Sequence, residues 1–298
     1  MSISVQPTQV ISIDQTEAQT ECPRTDLLAV EEPLAIRLGY GPTDDRQQQQ
    51  LSVTMRTPGH DIELVLGYLF SEGIIRHYHD VVSIRHCNDP KHSSERGNTV
   101  RVELAPELVI DWKKIQRYSY TSSSCGVCGK TSIEALGTTC AALPADGFAV
   151  HPSAIHAAPN ALRQAQLIFE HTGGLHAAGL FSAEGKLLLW HEDVGRHNAL
   201  DKLVGVAVAQ RRLPLSRSFV LLSGRISFEL VQKALAAGVP VLAAVGAPSS
   251  LAVQLADAYG LTLIGFVRHQ RFNIYSGSQR VTGQQLLTSY TKKIAQFS

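Results

Sequence analysis

Two kinds of hydrophobic periodicity divide this chain. From residue 152 onward, short apolar runs alternate with segments of helical period. The order reads as a helix over "PSAIHAAPNALRQAQLIFEHTGG" (152–174), then a hairpin of "LHAAGLF" and "KLLLWHE" joined by "SAEG". Helix "GRHNALDKLVGVAVAQ", strand "SFVLLSG", helix "RISFELVQKALAAG", strand "VPVLAAVG", helix "SSLAVQLADAYG" and strand "LTLIGFV" follow. Strands alternating with helices of this length predict a mostly parallel sheet covered on both faces. Ligands of such sheets sit at the carboxyl ends of the strands.

The first half follows another pattern. Between residues 27 and 109, strand-like runs "EEPLAIRLGY", "QLSVTMRTP" and "NTVRVEL" surround one helical segment, "DIELVLGYLFSEGII". Asp61 and Glu63 in its first turn and Gly73 near its end are its start and stop signals. "PTDDRQQQQ" and "NDPKHSSERGN" read as exposed loops. Residues 119–151, rich in Ser, Thr, Gly and Cys, read as a connection between domains. The expected organisation is a disordered tail (1–25), an N-terminal α/β domain (26–118), a loop and linker (119–151) and a C-terminal α/β domain (152–298).

Targeting signals and charge narrow the setting. The first 23 residues contain no Lys or Arg and do not read as a signal peptide. The longest apolar stretch, "ALAAGVPVLAAVGAP", is broken by Gly238, Pro240 and Gly246 and is too short to span a bilayer. A cytoplasmic protein with no membrane contact is expected. Twenty-seven basic against 26 acidic residues give a net charge of +1, which offers no field for nucleic acid. An anionic ligand must therefore be met by local groups. Five cysteines, at 22, 87, 125, 128 and 140, are an odd count that argues against a disulfide framework.

The chemistry concentrates in "SYTSSSCGVCGKTSIEAL" (119–136), where Cys125 and Cys128 stand two residues apart among glycines and serines. A structural zinc site needs four N or S ligands, and Cys140 and His151, the next candidates, are not at ribbon or finger spacing. A thioredoxin-like pair belongs at the end of a buried strand, which "YSYTSSS" does not make. The third reading is a persulfide carrier. Gly126 and Gly129 free the backbone around the thiols. Lys130, with a helix start at "KTSIEAL", favours the thiolate. A second cysteine resolves the first as a disulfide once sulfur has left.

Several blocks, in order, resemble one family. "EEPLAIRL", "MRTPGHDIELVLGYLFSEGII", "SSSCGVCGK", "TGGLHAAGLF", "HEDVGRHNALDKLVG", "LSGRISFELVQKALAAGVPVLAAVGAPSSLAVQLA" and "GLTLIGFVRHQRFNIYS" are similar to the signature blocks of the formate dehydrogenase accessory sulfurtransferases, the FdhD/NarQ type. The resemblance runs from residue 26 to residue 276. It implies a sulfurtransferase that accepts persulfide sulfur from a cysteine desulfurase. The sulfur goes to the molybdenum of a bis(molybdopterin guanine dinucleotide) cofactor before that cofactor enters the formate dehydrogenase catalytic subunit. Cys125 and Cys128 match the family's essential pair, with Cys125 expected to bear the persulfide. Phe266, Val267, Arg268, His269, Gln270 and Arg271 match its cofactor-binding stretch. A homodimer is implied as well. The alternative is a cofactor-binding chaperone that transfers no sulfur. Cys22 and Cys87 lie outside the family blocks and, like Cys140, are given no role.

The C-terminal domain is also similar to the cytidine deaminase fold, a three-layer α/β/α arrangement. In the zinc deaminases one helix opens with the [HC]-x-E motif and a later one with P-C-x-x-C. Aligned by element order, Val194 and Arg196 stand at the first zinc ligand and the catalytic glutamate, and Gly224 and Ser227 at the two cysteines. No metal site, no structural zinc and no deaminase activity are expected. The three helix starts "DVGRHN", "SGRISF" and "GAPSSL" instead offer N–H groups to phosphates. Arg196, Arg225, Arg268 and Arg271 are candidate phosphate contacts, with His197, Gly224 and Gly246 beside them. Phe266 and Phe272 are candidates for stacking on a base, and Glu192 or Asp193 for accepting from a guanine edge. His176 reads as structural.

Overall fold

The computed structural model describes residues 4–10, 24–87, 97–112, 142–144 and 147–283. In the C-terminal half, strands β7 (His176–Phe181), β8 (Leu187–Asp193), β9 (Phe219–Leu222), β10 (Val241–Ala244), β11 (Thr262–Arg268) and β12 (Arg271–Ser276) form one sheet in the order β12-β11-β10-β9-β7-β8. Strands β9, β10 and β11 pair in parallel, and β7 runs antiparallel to both β8 and β9. Strands β8 to β11 therefore point the same way and end on one edge.

Alternation along these strands separates two apolar layers. Ala178, Leu180, Val220, Leu222, Leu242, Ala244 and Leu263 join the core under helices α4 (Arg196–Ala209), α5 (Phe228–Ala236) and α6 (Ser250–Ala258). Ala177, Phe181, Phe219, Leu221, Val241, Ala243 and Ile264 pack with Ile155, Ala158 and Leu162 of α2 (Pro152–Ala165). The sheet is thus covered on both faces, as the sequence predicts.

The N-terminal half builds a four-stranded sheet in the order β4-β3-β6-β5, from β3 (Glu32–Tyr40), β4 (Gln47–Arg56), β5 (Val81–His86) and β6 (Thr99–Leu104). Its inward residues Leu34, Ile36, Leu38, Val100, Val102 and Leu104 pack with Leu64, Val65, Leu66 and Leu69 of α1 (Asp61–Ser71). This cluster is continuous with the core under α4 and α5, so the two halves share one hydrophobic interior.

Four local expectations are corrected. The segment read as a tail holds a strand, β1 (Val5–Val10), paired antiparallel with β2 (Arg24–Ala29). The glutamines read as loop begin β4, where the Tyr40 hydroxyl reaches Gln47 Oε1 at 3.1 Å. Strand β5 was not foreseen, because only Val81 of its six residues is buried. The long helix before the hairpin is two helices, α2 and α3 (Leu167–Thr172), because the Glu192 carboxylate accepts from the N–H groups of Ile168 (3.2 Å) and Phe169 (2.9 Å) and starts a new helix there.

Helices α1 and α4 meet backbone to backbone. A Cβ placed on Gly67 would lie 1.8 Å from the Asp201 carbonyl oxygen, and one on Gly205 would lie 1.7 Å from that of Glu63. Only hydrogen fits at either position. Buried charges surround this crossing. Lys233 Nζ donates to both Asp201 oxygens at 3.0 and 2.9 Å, and Ser71 donates to Oδ1 at 3.1 Å. Burial alone would favour the neutral amine, but Asp201, Glu72 and Glu229 outweigh it and hold the Lys233 ammonium above its ordinary range. Lys202 pairs with Asp193 at 2.7 Å and donates to the Thr57 carbonyl at 3.0 Å. Asn198 donates to Asp193 (3.0 Å) and to the Met55 carbonyl (2.8 Å). Asp61, read as a helix-start carboxylate, is buried and pairs with Arg56 through both oxygens at 2.9 and 3.1 Å.

Two consequences are measurable. Gly205→Ala, favourable on helix propensity alone, is expected to cost about 1–3 kcal/mol through overpacking against Glu63, read as a lowered midpoint of denaturant unfolding. The second concerns His191, stacked edge-on with His60 at 4.5 Å across the two halves. Burial, with His60 and Lys202 nearby, lowers its imidazole from 6.5 to about 3. The unfolded chain takes up this proton below 6.5 while the folded one does not, so the stability is present above that pH and is lost as pH falls towards 3. Thermal unfolding at stepped pH should show His191→Phe with a shallower acid slope than the parent, by at most about 1.4 kcal/mol per pH unit.

Candidate functional site

Three strand-to-helix turns converge on the shared edge of the C-terminal sheet. Gly246 N–H donates to the Gly224 carbonyl (3.1 Å), Phe266 N–H to the Gly246 carbonyl (3.0 Å) and Ile226 N–H to the Ala247 carbonyl (3.0 Å). The turns after β9 and β10 are thereby laced to β11. A Cβ on Gly246 would stand 2.8 Å from the Gly224 carbonyl oxygen, and one on Gly224 would stand 3.2 Å from His176 Nδ1. The floor here is bare backbone, which lets a ligand approach closely.

Helices α4, α5 and α6 present their N-termini around this floor. Ser249 caps α6 by accepting from Ala252 N–H at 3.3 Å. Gly195 before α4 and Ser227 before α5 make no side-chain cap. The Ser227 hydroxyl is instead 3.0 Å from His197 Nε2, which also lies 3.5 Å from Glu229. Uncapped N–H groups at two helix heads favour an anion between them.

Arg196 is the first residue of α4, half-buried beside Gly224. Its Nε is buried and has no hydrogen-bond partner. Burial, then the Arg196 charge, lower the His176 imidazole. Burial also lowers that of His197, against an opposing pull from Glu229. Both rings are therefore biased towards the neutral form, leaving the guanidinium as the cation at the head of α4.

The 266–271 stretch forms the tip of the β11–β12 hairpin. Phe266 is half-buried with φ +56°, His269 and Gln270 turn the chain with φ +52° and +58°, and Val267 is buried. Two consecutive residues at positive φ fit a two-residue hairpin of the primed kind. Arg268 is exposed, with its guanidinium 5.4 Å above the Phe266 ring. A bulky residue held left-handed is strained, and such strain gathers at functional positions.

The structure brings Arg196, His197, Gly224 and Gly246 together, with Phe266 tied to Gly246. Arg225 and Arg271 are exposed. Three expected contacts are otherwise engaged: Glu192 caps α3, Asp193 is fully buried against Lys202, and the Phe272 ring lies 4.9 Å from His156 in the core over α2. His176, read as structural, stands at the site, and Glu229 was not foreseen. The signal for His176 was its place at the start of an inner strand that runs antiparallel to both neighbours, which sets it level with the carboxyl ends of β8 and β9. Cys125, Cys128, Cys22 and Cys140 lie outside the described residues. Among the described residues no helix is long and apolar enough to cross a membrane.

The chain resembles known proteins in both sequence and fold. The model of the FdhD/NarQ family matches residues 29–282. The sulfur carrier protein FdhD of Mycobacterium tuberculosis is 47% identical over 264 residues, covering 87% of this chain and 93% of that protein. Its counterpart from Streptomyces coelicolor is 49% identical over 261 residues, covering 87% and 90%. In fold, the chain is similar to the crystal structure of a candidate formate dehydrogenase accessory protein from Desulfotalea psychrophila, with a TM-score of 0.69 at 23% identity, covering 94% of this chain and all of that one. The glycine floor and uncapped helix heads thus lie within blocks matched over most of the chain, and the protein belongs to the FdhD/NarQ family.

Proposed function

We propose that this protein is a cytoplasmic sulfurtransferase. It takes sulfane sulfur from a cysteine desulfurase onto Cys125 and delivers it to a bis(molybdopterin guanine dinucleotide) molybdenum cofactor destined for formate dehydrogenase. The Cys125 thiolate attacks the outer sulfur of the donor persulfide, the donor thiolate leaves, and the new S–S bond stands on Cys125. Attack by the Cys128 thiolate on the inner sulfur then forms a Cys125–Cys128 disulfide and releases hydrosulfide towards the acceptor. The two thiols supply both electrons. Reduction of the disulfide by a cellular dithiol resets the pair.

The observation that carries this reading is the unpartnered Arg196 Nε at the head of α4, beside the Gly224 and Gly246 floor. A buried guanidinium nitrogen without a partner costs free energy that an anionic oxygen would recover. The cofactor's pyrophosphates supply such oxygens. In this reading Gly224 and Gly246 let a phosphate approach the backbone, and the uncapped N–H groups of α4 and α5 bind it. Phe266 offers a ring face at the same edge, and His197 stays neutral and orients through Ser227. The hairpin residues Val267 to Arg271 border the bound dinucleotide, with Arg268 and Arg271 facing outward. The C-terminal half is, on this account, a deaminase-like frame whose catalytic positions now serve binding. A homodimer would present two such sites, one for each guanine dinucleotide arm.

Intact mass after incubation with a cysteine desulfurase and cysteine tests the carrier. A gain of one sulfur, reversed by reductant and absent from Cys125→Ala, is expected. No gain by the parent protein, with client maturation intact, would leave a cofactor-binding chaperone as the account. Titration with GDP, standing in for one arm of the cofactor, tests the site. Arg196→Gln is expected to weaken binding at least about tenfold, as loss of a charged hydrogen bond implies, and unchanged affinity would remove Arg196 from it.

A further inference from the structure

Two serines at the carboxyl-end floor stand in the same local setting and behave differently. Ser227 before α5 and Ser249 before α6 each head a helix of nine residues. Their backbones agree closely, with φ −94° and ψ 168° at Ser227 and φ −79° and ψ 160° at Ser249. Residue type and backbone therefore predict a side-chain cap at both. Ser249 makes it, accepting from the N–H of Ala252, three residues on, at 3.3 Å. The Ser227 side chain caps nothing, although Leu230 N–H occupies the equivalent place in α5.

The difference comes from α4. His197 brings Nε2 to 3.0 Å from Ser227 Oγ and to 3.5 Å from a Glu229 carboxylate oxygen. A carboxylate has only lone pairs to offer, so a neutral ring beside it carries its proton on Nε2. That N–H donates to the serine oxygen and occupies the acceptor that a cap would use. Glu229 is anchored in turn. Its other oxygen is 3.8 Å from Lys233 Nζ, and Lys233 is fixed by both oxygens of Asp201. Forgoing a serine cap costs a helix roughly fivefold in its equilibrium, and what is kept in return is an open first turn whose N–H groups can meet an anion. Arg196, whose buried Nε lacks a hydrogen-bond partner, precedes His197 at the head of α4.

We propose that His197 is a positioning residue: it holds the Ser227 hydroxyl off α5, so that the head of this helix stays open to a phosphate. Ser227 is then a latent cap, set aside by a residue of another helix. This rests on the phosphate-binding reading of the floor and deepens it, assigning His197 a role that involves no contact with the ligand.

Releasing the hydroxyl tests it. His197→Phe keeps an aromatic ring but no nitrogen, so Ser227 should swing onto Leu230 N–H. With the cap favoured about fivefold, GDP must first displace it, and affinity should fall about fivefold. In a Ser227→Ala background, where no hydroxyl can cap, the same substitution at His197 should change affinity by less than about twofold. His197→Gln, whose amide N–H can still donate to Ser227, should recover most of the loss. Where His197→Phe fails to fold, as judged by circular dichroism, His197→Leu takes its place. Equal losses in both backgrounds would make His197 a direct ligand contact and overturn the proposal. A crystal structure of the unliganded His197→Phe protein keeps the two readings apart. Ser227 Oγ within hydrogen-bond distance of Leu230 N–H is expected, and a hydroxyl that stays off α5 overturns the proposal even if GDP binds. A hydroxyl that moves as expected, in a protein whose parent does not bind GDP, upholds the latent cap and removes the phosphate reading instead.

Discussion

Everything in this fold hangs on the contact between two glycines. At the crossing of α1 and α4, a methyl group on Gly67 or Gly205 would overlap a backbone carbonyl of the other helix. Contact this close brings the backbones themselves together and lets the sheets on either side feed one continuous core. The N-terminal sheet has no other helix among the described residues on its inner face, and α4 is buried nearly all round because it is covered from both sides. A small residue at each of two positions is what turns two α/β units into one body.

That fusion carries a polar burden. Arg56, Asp61, Asp193, Asp201, Lys202 and Lys233 are all buried, most of them along the seam. Each has a partner within hydrogen-bond reach: Arg56 with Asp61, Asp193 with Lys202, Asp201 with Lys233. Such pairs contribute little net stability compared with well-packed apolar groups, yet removing one partner costs about 3–5 kcal/mol. Their value lies in register. Asp193 holds Thr57, Gly195, Asn198 and Lys202 at once, so the β8–α4 turn has one position relative to the N-terminal half. Because that turn also starts the helix headed by Arg196, the seam and the carboxyl-end floor are set by the same residues.

The C-terminal half was legible in the sequence because its signals are local and mutually consistent. Apolar runs such as "SFVLLSG" and "VPVLAAVG" are flanked by helical periods, and the glycines that end the strands are the ones that make the floor. The grouping of Arg196, His197, Gly224 and Gly246 at one edge of the sheet could be read for that reason. What escaped depends on partners far away in the chain. Strand β5 exposes most of its residues at a sheet edge and so lacks alternation. The break between α2 and α3 is made by Glu192, more than twenty residues downstream. The carboxylates of "HED" looked free for a ligand, but burial had already claimed them for α3 and Lys202. The polarity of a residue is written in the sequence; whether another residue has used it is not.

The glycine crossing also sets the order in which the chain can finish folding. Gly67 leaves the ribosome 138 residues before Gly205, an interval of roughly 7–30 s at typical translation rates of about 5–20 residues per second. During it Leu64, Val65 and Leu69 have the N-terminal sheet on one side and water where α4 will lie. Half of the shared core is built first and must wait for the other half. The nascent chain passes through a stage with an apolar helix face uncovered, the condition in which chaperones engage a growing protein.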